Sequence, residues 1–452
     1  MLIRFTVKNF LSFNEKREVL LTPGRVRKHK DHISRSKKTN GIDVLKHSLF
    51  YGANASGKSN LVKAIAFAKK LVVSKHKPEK SVPVKPFKLV ENYKKKKSMF
   101  EFEIKCYEKY YAYGFELTKD KIFEEWLYEI RKNNKEKLLF ERTTDLNGSV
   151  DIKFGIDLKN NEDRVRFIAK DARENQLFLN AINERNVKDI KGIEPFVKTL
   201  KWFKNTLVTI RPESEYAGKE VGIRKDEDFA EYFTNFLQNF DTGIEGVECK
   251  EIKPDEGEDV NIPDDLIKNI VDELDKKQTT VLPGSAGERY AIMKNKEGST
   301  SILKIVTKHK IIDKDESVDF DITEESDGTR RMMDIIPSLI LAKNSEKVFV
   351  IDELDRSLHS HLTYQLIKLF SRIVKDKSCQ LLATTHDTDL LDLDLLRRDE
   401  IWFIEKNKNG ESDIYSLEEY APRHDKNIKK GYLRGRYGGI PFLKSDLSWL
   451  QE

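Results

Sequence analysis

The sequence has few cysteines and no long uncharged apolar run. Its three cysteines, among 452 residues, are odd in number and widely separated, which excludes a disulfide framework and a paired-cysteine metal site. No segment reaches the roughly 20 apolar residues that a membrane span requires, and the amino terminus carries no apolar leader. We therefore expect a soluble cytoplasmic protein without a membrane partner.

Neither sign of charge dominates the chain. Lysine and arginine number 82 against 76 aspartate and glutamate, and the net charge is +6. This balance permits nucleic-acid binding but does not argue for it. With 38% hydrophobic residues, the chain can form one large domain or two interlocked domains.

Glycine is informative in one stretch, residues 49–60, which reads LFYGANASGKSN. An apolar strand leads into it, and apolar residues at helical spacing follow it. Gly52, Gly57, Lys58 and Ser59 match the phosphate-loop pattern at every required position. Glycine allows the backbone to approach a phosphate closely, and the helix that follows directs its positive end at the ligand. The predicted ligand is a nucleoside triphosphate, ATP, with Mg²⁺.

Each residue type in this loop has a defined task. Lys58 would reach the β- and γ-phosphates, and the Ser59 hydroxyl would bind Mg²⁺. The alternative is a plain glycine turn before a helix, which the flanking strand and helix disfavour. The residues assigned to the nucleotide are Gly52, Asn54, Ala55, Ser56, Gly57, Lys58, Ser59 and Asn60.

Acidic residues follow a second apolar strand, in KVFVIDE. Asp352 would complete the Mg²⁺ shell through water, and Glu353 would orient or deprotonate the attacking water. Alone, such a pair is equally typical of a solvated strand end. His386 ends the next apolar strand, QLLATTH, where it would donate a hydrogen bond to the γ-phosphate, the alternative being a structural histidine.

A polar cluster opens a further helix in EESDGTRRMMDII. Ser326, Gly328 and Thr329 would form a second anion site with the free N–H groups of that helix. An ordinary helix cap is the alternative.

Strands and helices alternate as a mostly parallel α/β sheet requires. We expect that sheet to be assembled from two distant parts of the chain, 1–74 and 321–452. Residues 75–320 would form an inserted region, β-rich at first and then helical. The basic tail ends the second part, and its Lys429, Lys430, Arg434 and Arg436 flank Tyr432 and Tyr437. Such a mixture fits either base stacking or the docking of a partner.

With these motifs the sequence resembles P-loop ATPases of the ATP-binding-cassette (ABC) type, in the branch that contains SMC, RecF and OLD-type proteins. It is most similar to RloA-like ATPases of bacterial abortive infection and phage defence. The resemblance implies that 52–59 is the Walker A loop, that Asp352 and Glu353 form Walker B, and that Asp355 and His386 are the D-loop aspartate and the switch histidine. The SDGT sequence at 326–329 takes the place of the signature loop, which usually reads LSGGQ.

The resemblance also implies a head-to-head dimer or a higher homo-oligomer. Ser326, Gly328 and Thr329 of one subunit would then close over the γ-phosphate held by Lys58 of the other. The expected function is ATP hydrolysis that controls a separate effector, a nuclease or toxin, in anti-phage defence. Two alternatives stay open: a RecF-like ATP-dependent DNA clamp in repair, and a scaffold that does not hydrolyse ATP.

Overall fold

The computed structural model describes residues 1–37, 41–75, 81–131, 135–145, 147–185, 187, 189–212, 219–252, 279–283, 288–294, 300–422 and 427–440. Two compact units divide the chain. The first comprises Met1–Arg211, Ser345–Asp355 and Thr363–Glu452, and the second comprises Pro212–Asn344 and Arg356–Leu362.

Strands are numbered in chain order over the described residues. They are β1 Leu2–Lys8, β2 Arg17–Leu20, β3 Ile33–Ser34, β4 Val44–Leu45, β5 His47–Tyr51, β6 Ser98–Cys106, β7 Lys109–Leu117, β8 Ile122–Ile130, β9 Glu136–Thr144, β10 Val150–Phe154, β11 Leu207–Ile210, β12 Ile244–Ile252, β13 Thr279–Pro283, β14 Arg289–Lys294, β15 Thr300–Lys310, β16 Ser317–Asp321, β17 Val348–Ile351, β18 Gln380–Thr384, β19 Ile401–Lys406 and β20 Ser412–Ser416. The α-helices are α1 Lys58–Val73, α2 Glu162–Asp171, α3 Phe178–Glu184, α4 Glu194–Lys201, α5 Lys219–Lys225, α6 Glu227–Asn239, α7 Asp327–Asn344, α8 Ser360–Ile373 and α9 Ile428–Leu433.

A six-stranded sheet in the first unit has the order β11-β17-β18-β5-β19-β20. Its first five strands are mutually parallel, and β20 pairs antiparallel with β19. Every residue of β5, β17 and β18 is buried, as expected of parallel strands that are covered on both faces. The sheet is therefore assembled from amino-terminal and carboxyl-terminal parts of the chain, as the sequence predicts. In addition, β11 joins its edge from within 75–320.

A second sheet of the same unit is antiparallel, with the order β10-β9-β8-β7-β6-β1-β2. Buried and partly exposed residues alternate strictly along β6, so one face of this strand belongs to the core. The strands β1 and β2, from 1–74, thus share a sheet with strands of the 75–320 segment. This sheet therefore crosses the boundary that the sequence analysis places after residue 74. The boundary was not predicted correctly for this sheet because alternation identifies a strand but not the strand that it pairs with.

Helix α1 lies between these two sheets. On one side its Leu61 and Ile65 line a small cavity together with Phe50 of β5 and Val350 of β17. On the other side Phe67 packs against Phe100 of β6, with the ring centroids 5.2 Å apart. Because both faces of α1 are packed, the start of the helix and the loop before it are held in place from two sides.

The second unit contains an antiparallel sheet in the order β12-β15-β14-β13, with β16 also paired to β15. Helices α5, α6 and α7 belong to the same unit. Lys219 of α5 forms a 2.9 Å ion pair with Asp334 of α7. The ammonium group of Lys343, also on α7, lies 3.5 Å from the ring centroid of Tyr232 on α6. These contacts connect α7 to α5 and α6.

Candidate nucleotide-binding site

The glycine loop connects the buried end of β5 to the first turn of α1. Gly57 has φ +117°, and a Cβ on it would lie 2.2 Å from Ser412 Oγ. A Cβ on Gly52 would lie 2.2 Å from the carbonyl oxygen of Ile404. Only glycine fits at these two positions, since one needs a left-handed conformation and both lie against neighbouring atoms. Asn54 and Ala55, at the tip, are exposed to solvent.

Lys58 is folded back into the loop. Its Nζ donates hydrogen bonds to the carbonyl oxygens of Gly52 at 2.8 Å and Ala53 at 3.1 Å. Burial lowers the pKa of Lys58 to about 8, against the opposing effect of the carboxylates of Asp352, Asp355 and Glu353. Lys58 is therefore a poorly hydrated cation among acidic groups, and an anionic ligand would stabilise its charged form.

A chain of serines supports the loop from beneath. The Asn60 amide donates to Ser12 Oγ at 2.8 Å, and Ser12 Oγ lies 2.7 Å from Ser412 Oγ. Ser412 in turn donates to the carbonyl oxygen of Ser56 at 2.5 Å. The Asn60 side chain thus braces the loop, while Ser59 stands partly exposed in the first turn of α1. No sequence pattern marks Ser12 or Ser412, which are separated by 400 positions.

The paired carboxylates follow β17, and Thr384 at the end of the adjacent β18 holds them. Thr384 Oγ1 donates to Asp352 Oδ1 at 2.6 Å and accepts from the backbone N–H of Glu353 at 2.8 Å. The backbone N–H of Asp352 donates to Ile210 of β11 at 2.8 Å. Glu353 has φ +49°, a conformation that non-glycine residues adopt rarely and that is concentrated at functional sites. In the sequence Thr384 is only one residue of the apolar run QLLATTH, and no motif marks its contact with the carboxylates.

His386 lies two residues beyond the end of β18. Its backbone N–H donates to the two carboxylate oxygens of Asp355, at 3.2 and 3.1 Å, so the residue predicted as the D-loop aspartate fixes the loop that carries the histidine. Desolvation and the positive charge of Lys58 lower the pKa of His386, against the carboxylates of Asp355, Glu353 and Asp352. The structure thus brings Lys58, the carboxylates that follow β17, Asp355 and His386 together at one edge of the sheet.

Ser326, Gly328 and Thr329 lie in the second unit, at the start of α7. The Ser326 hydroxyl accepts a hydrogen bond from the Thr329 backbone N–H at 3.1 Å and lies 2.9 Å from Thr329 Oγ1. This is the geometry of a helix N-cap. A Cβ on Gly328 would lie 2.8 Å from the carbonyl oxygen of Ser357. Their role in binding a phosphate stays a prediction.

The basic tail packs beside the phosphate loop. Tyr432 and Tyr437 are buried, and their rings stack on Phe403 of β19 with centroids 5.5 and 6.1 Å away. A Cβ on Gly439 would lie 3.6 Å from Cα of Gly52. Base stacking by these tyrosines, one of the two readings of the sequence, is therefore wrong because both rings are occupied within the fold.

Together, a glycine loop after a buried strand, carboxylates at the end of a parallel strand and a histidine after the next strand are the arrangement of a P-loop NTPase fold. A family model described as "AAA domain, putative AbiEii toxin, Type IV TA system" matches residues 48–394. The chain belongs to this family.

Solved structures similar to this chain are SMC head domains. The head from Thermotoga maritima is 13% identical, with TM-score 0.38, over 92% of this chain and 98% of that one. An SMC head bound to the C-terminal winged-helix domain of ScpA is 15% identical, with TM-score 0.41, over 92% and 97%. An SMC head with an extended coiled coil, bound to the C-terminal domain of ScpA derived from Pyrococcus furiosus, is 13% identical, with TM-score 0.39, over 93% and 97%. No curated protein matches the sequence.

Over the described residues, no helix is both long and apolar enough to cross a membrane.

Proposed function

We propose that this protein binds ATP with Mg²⁺ and hydrolyses it. The observation that carries the proposal is the convergence of Lys58, Asp352, Glu353, Asp355 and His386, whose charges interact across one sheet edge. The Ser59 hydroxyl and the Asp352 carboxylate offer the oxygen ligands that Mg²⁺ prefers. When bound, the ion would neutralise charge that develops on the phosphates.

The residues divide the chemical work. Lys58 and the loop N–H groups would hold the β- and γ-phosphates in line for displacement. Glu353 would accept a proton from the attacking water as the water oxygen bonds to the γ-phosphorus, while the bond from that phosphorus to the bridging oxygen breaks and ADP leaves. His386 would donate a hydrogen bond to the γ-phosphate. Thr384 keeps the two carboxylates in their separate positions.

Phosphate release is the direct test. Wild-type protein with ATP and Mg²⁺ should release phosphate, release should stop when Mg²⁺ is chelated, and Lys58→Ala should slow it by about 10²- to 10³-fold. Lys63→Ala is a matched control because Lys63 lies on the exposed face of the same helix. Equal phosphate release from wild type and Lys58→Ala would leave the non-hydrolysing scaffold as the better description.

We further propose that ATP joins two chains head to head and that the dimer controls a separate effector, a nuclease or toxin, in anti-phage defence. The resemblance to RloA-like ATPases and the toxin–antitoxin description of the family support this. In sedimentation experiments Glu353→Gln should dimerise with ATP, and Ser326→Arg should remain monomeric. A dimer that forms equally well without ATP would contradict this arrangement.

The effector is identified by purifying Glu353→Gln with ATP from cells that also express the flanking genes. A stoichiometric second protein with a nuclease or toxin domain, together with phage resistance that needs both genes, is the expected result. DNA without a protein partner would instead favour the DNA clamp. The DNA clamp predicts binding of duplex DNA whose affinity falls steeply with salt concentration and increases with ATP.

A further inference from the structure

A buried polar cluster lies at the opposite end of β5 from the phosphate loop. It consists of His32, in a short 3-10 helix at Lys30–His32, His47, the first residue of β5, and Glu400, at the end of a 3-10 helix at Arg398–Glu400. Their exposed fractions are 4%, 1% and 0%. One ligand atom from each, an imidazole nitrogen or a carboxylate oxygen, lies within 4.8 Å of the others. The ATPase chemistry uses none of them.

The Glu400 carboxylate lies at ligand-to-ligand distances from both imidazoles. Glu400 Oε1 lies 3.2 Å from Nδ1 of His32 and 3.4 Å from Nδ1 of His47. In a tetrahedral zinc site with bonds of about 2.05 Å, neighbouring ligand atoms are about 3.3 Å apart. Two imidazoles and one carboxylate are also a known zinc ligand set.

The tautomer of His47 supports the same conclusion. Ser371 Oγ lies 2.9 Å from the carbonyl oxygen of Ile367 and 3.0 Å from His47 Nε2, so it accepts from His47 Nε2 when its own hydrogen is on the carbonyl. In that arrangement the lone pair of a neutral His47 is on Nδ1 and faces Glu400. That nitrogen is buried and makes no hydrogen bond, although Glu400 Oε1 lies 3.4 Å from it. A lone pair facing a carboxylate is unfavourable unless a cation lies between them, and an outer nitrogen fixed by a hydrogen bond is characteristic of metal-binding histidines.

The residues around His32, His47 and Glu400 are also compatible with a bound metal ion. Glu400 Oε2 accepts from the backbone N–H of Arg397 at 2.9 Å, which orients the carboxylate. The ring of His29 stacks on His32, with centroids 4.8 Å apart, and His29 lines a surface pocket of about 290 Å³. An ion therefore has a short route to the cluster past one partly exposed imidazole.

We propose that His32, His47 and Glu400 bind a zinc ion that fastens the amino end of β5 to the segments before β3 and β19. The fourth position is left to water or to a nearby side chain. The role is structural, since the cluster lies at the end of the strand remote from the phosphate loop.

Metal analysis of the full chain, purified without a metal-affinity tag and incubated with Zn²⁺ before gel filtration, tests the proposal. The expected result is about one zinc ion per chain, and Co²⁺ in its place should give the intense visible absorption of a tetrahedral site. His32→Asn and His47→Asn each keep an amide where Nδ1 lies and should weaken metal binding by at least about tenfold. His309→Asn is the matched control, since His309 contacts Glu325 at 2.8 Å in the second unit and belongs to no such cluster among the residues that the structure describes.

The outcomes separate clearly. Wild-type protein that retains neither zinc nor cobalt would overturn the proposal and leave a hydrogen-bonded His–Glu–His cluster. Metal retained equally by wild type and His47→Asn would overturn it as well. If the variants fail to fold, the cobalt spectrum of wild type decides, since a weak octahedral spectrum contradicts a site built from these three ligands. None of these results depends on ATP hydrolysis.

Discussion

Two buried lysines lie at opposite ends of β5, and they are bound in different ways. Lys46, just before the strand, donates to the carbonyl oxygens of Asp31, Val374 and Lys375 at 2.9, 2.8 and 2.5 Å, which uses all three of its N–H groups. Lys58, after the loop, donates to two carbonyl oxygens and faces three carboxylates. Burial lowers the pKa of both.

The difference shows which buried charge is available for chemistry. All three N–H groups of Lys46 are bound to backbone carbonyl oxygens of the fold. Its charge therefore stabilises the structure and is not available to a ligand. Lys58 lies in a loop whose acceptors are its own carbonyl groups, and these can be exchanged for phosphate oxygens. Substitutions at the carboxyl end of β5 should therefore change turnover, whereas those at its amino end should change stability.

Glu353→Gln should have the largest effect on turnover. The amide keeps the shape of the side chain but cannot accept the proton, so we expect hydrolysis to fall by about 10²- to 10⁴-fold while ATP still binds. Single-turnover phosphate release and equilibrium ATP binding measure the two quantities. Glu346→Gln, an exposed carboxylate ahead of β17, is the control. Unchanged turnover would remove Glu353 from the role of base.

Lys58→Ala should lower the rate of hydrolysis by about 10²- to 10³-fold, as the loss of a preorganised positive group at the transition state does. ATP affinity should fall as well, because the charge also contacts the ground-state phosphates. Fluorescent-nucleotide titration together with phosphate release separates the two effects. Normal affinity would show that the backbone N–H groups alone hold the nucleotide.

Thr384→Val should reduce turnover by about ten- to a hundredfold with little change in KM, because it removes the hydroxyl that holds Asp352 and the Glu353 backbone and so misplaces both carboxylates. Steady-state kinetics at saturating Mg²⁺ measures this. Thr209→Val, on the neighbouring edge strand β11, is the control. An increase in KM alone would mean that the threonine acts on binding rather than on position.

ATP affinity should depend on pH through Lys58. In the protein without nucleotide the pKa of Lys58 is about 8, and a bound phosphate raises this pKa. The affinity for ATP is therefore fully present below pH 8 and is lost as the pH rises above 8. The decline should reach at most about tenfold per pH unit. Binding measured between pH 7 and 9.5 checks the trend, and Lys58→Arg should remove it because the guanidinium stays charged.

Lys46→Met should leave turnover per folded molecule unchanged and lower the free energy of unfolding by about 1–3 kcal/mol, because it strands buried carbonyl groups. Urea unfolding and active-site titration measure the two quantities. A loss of turnover comparable with that of Lys58→Ala would contradict the contrast between the two ends of β5.

The carboxyl end of β5 could be predicted because its chemistry resides in consecutive residues. The motifs containing Lys58, Glu353 and His386 each follow an apolar strand, and parallel strands end at one edge of a sheet. The bridging role of Thr384 could not be predicted, because it depends on the register of β17 and β18. The cluster of His32, His47 and Glu400 joins three distant segments, and no spacing marks it.

Two features of the fold were missed for related reasons. The strand β11 has only four residues, LVTI, which is too short to display a period. The opening strand β1 alternates apolar and polar residues as a strand does, but this pattern does not identify its partners β2 and β6, which lie about 10 and 90 residues further along the chain.

The serine chain beneath the phosphate loop has a consequence for biosynthesis. Ser12 leaves the ribosome early, whereas Ser412 and the strand β20 that carries it are made only after nine-tenths of the 452 residues. The loop sequence is therefore translated long before its support exists. A nascent or prematurely terminated chain that lacks β20 should be unable to hold ATP, so nucleotide occupancy distinguishes completed molecules from fragments.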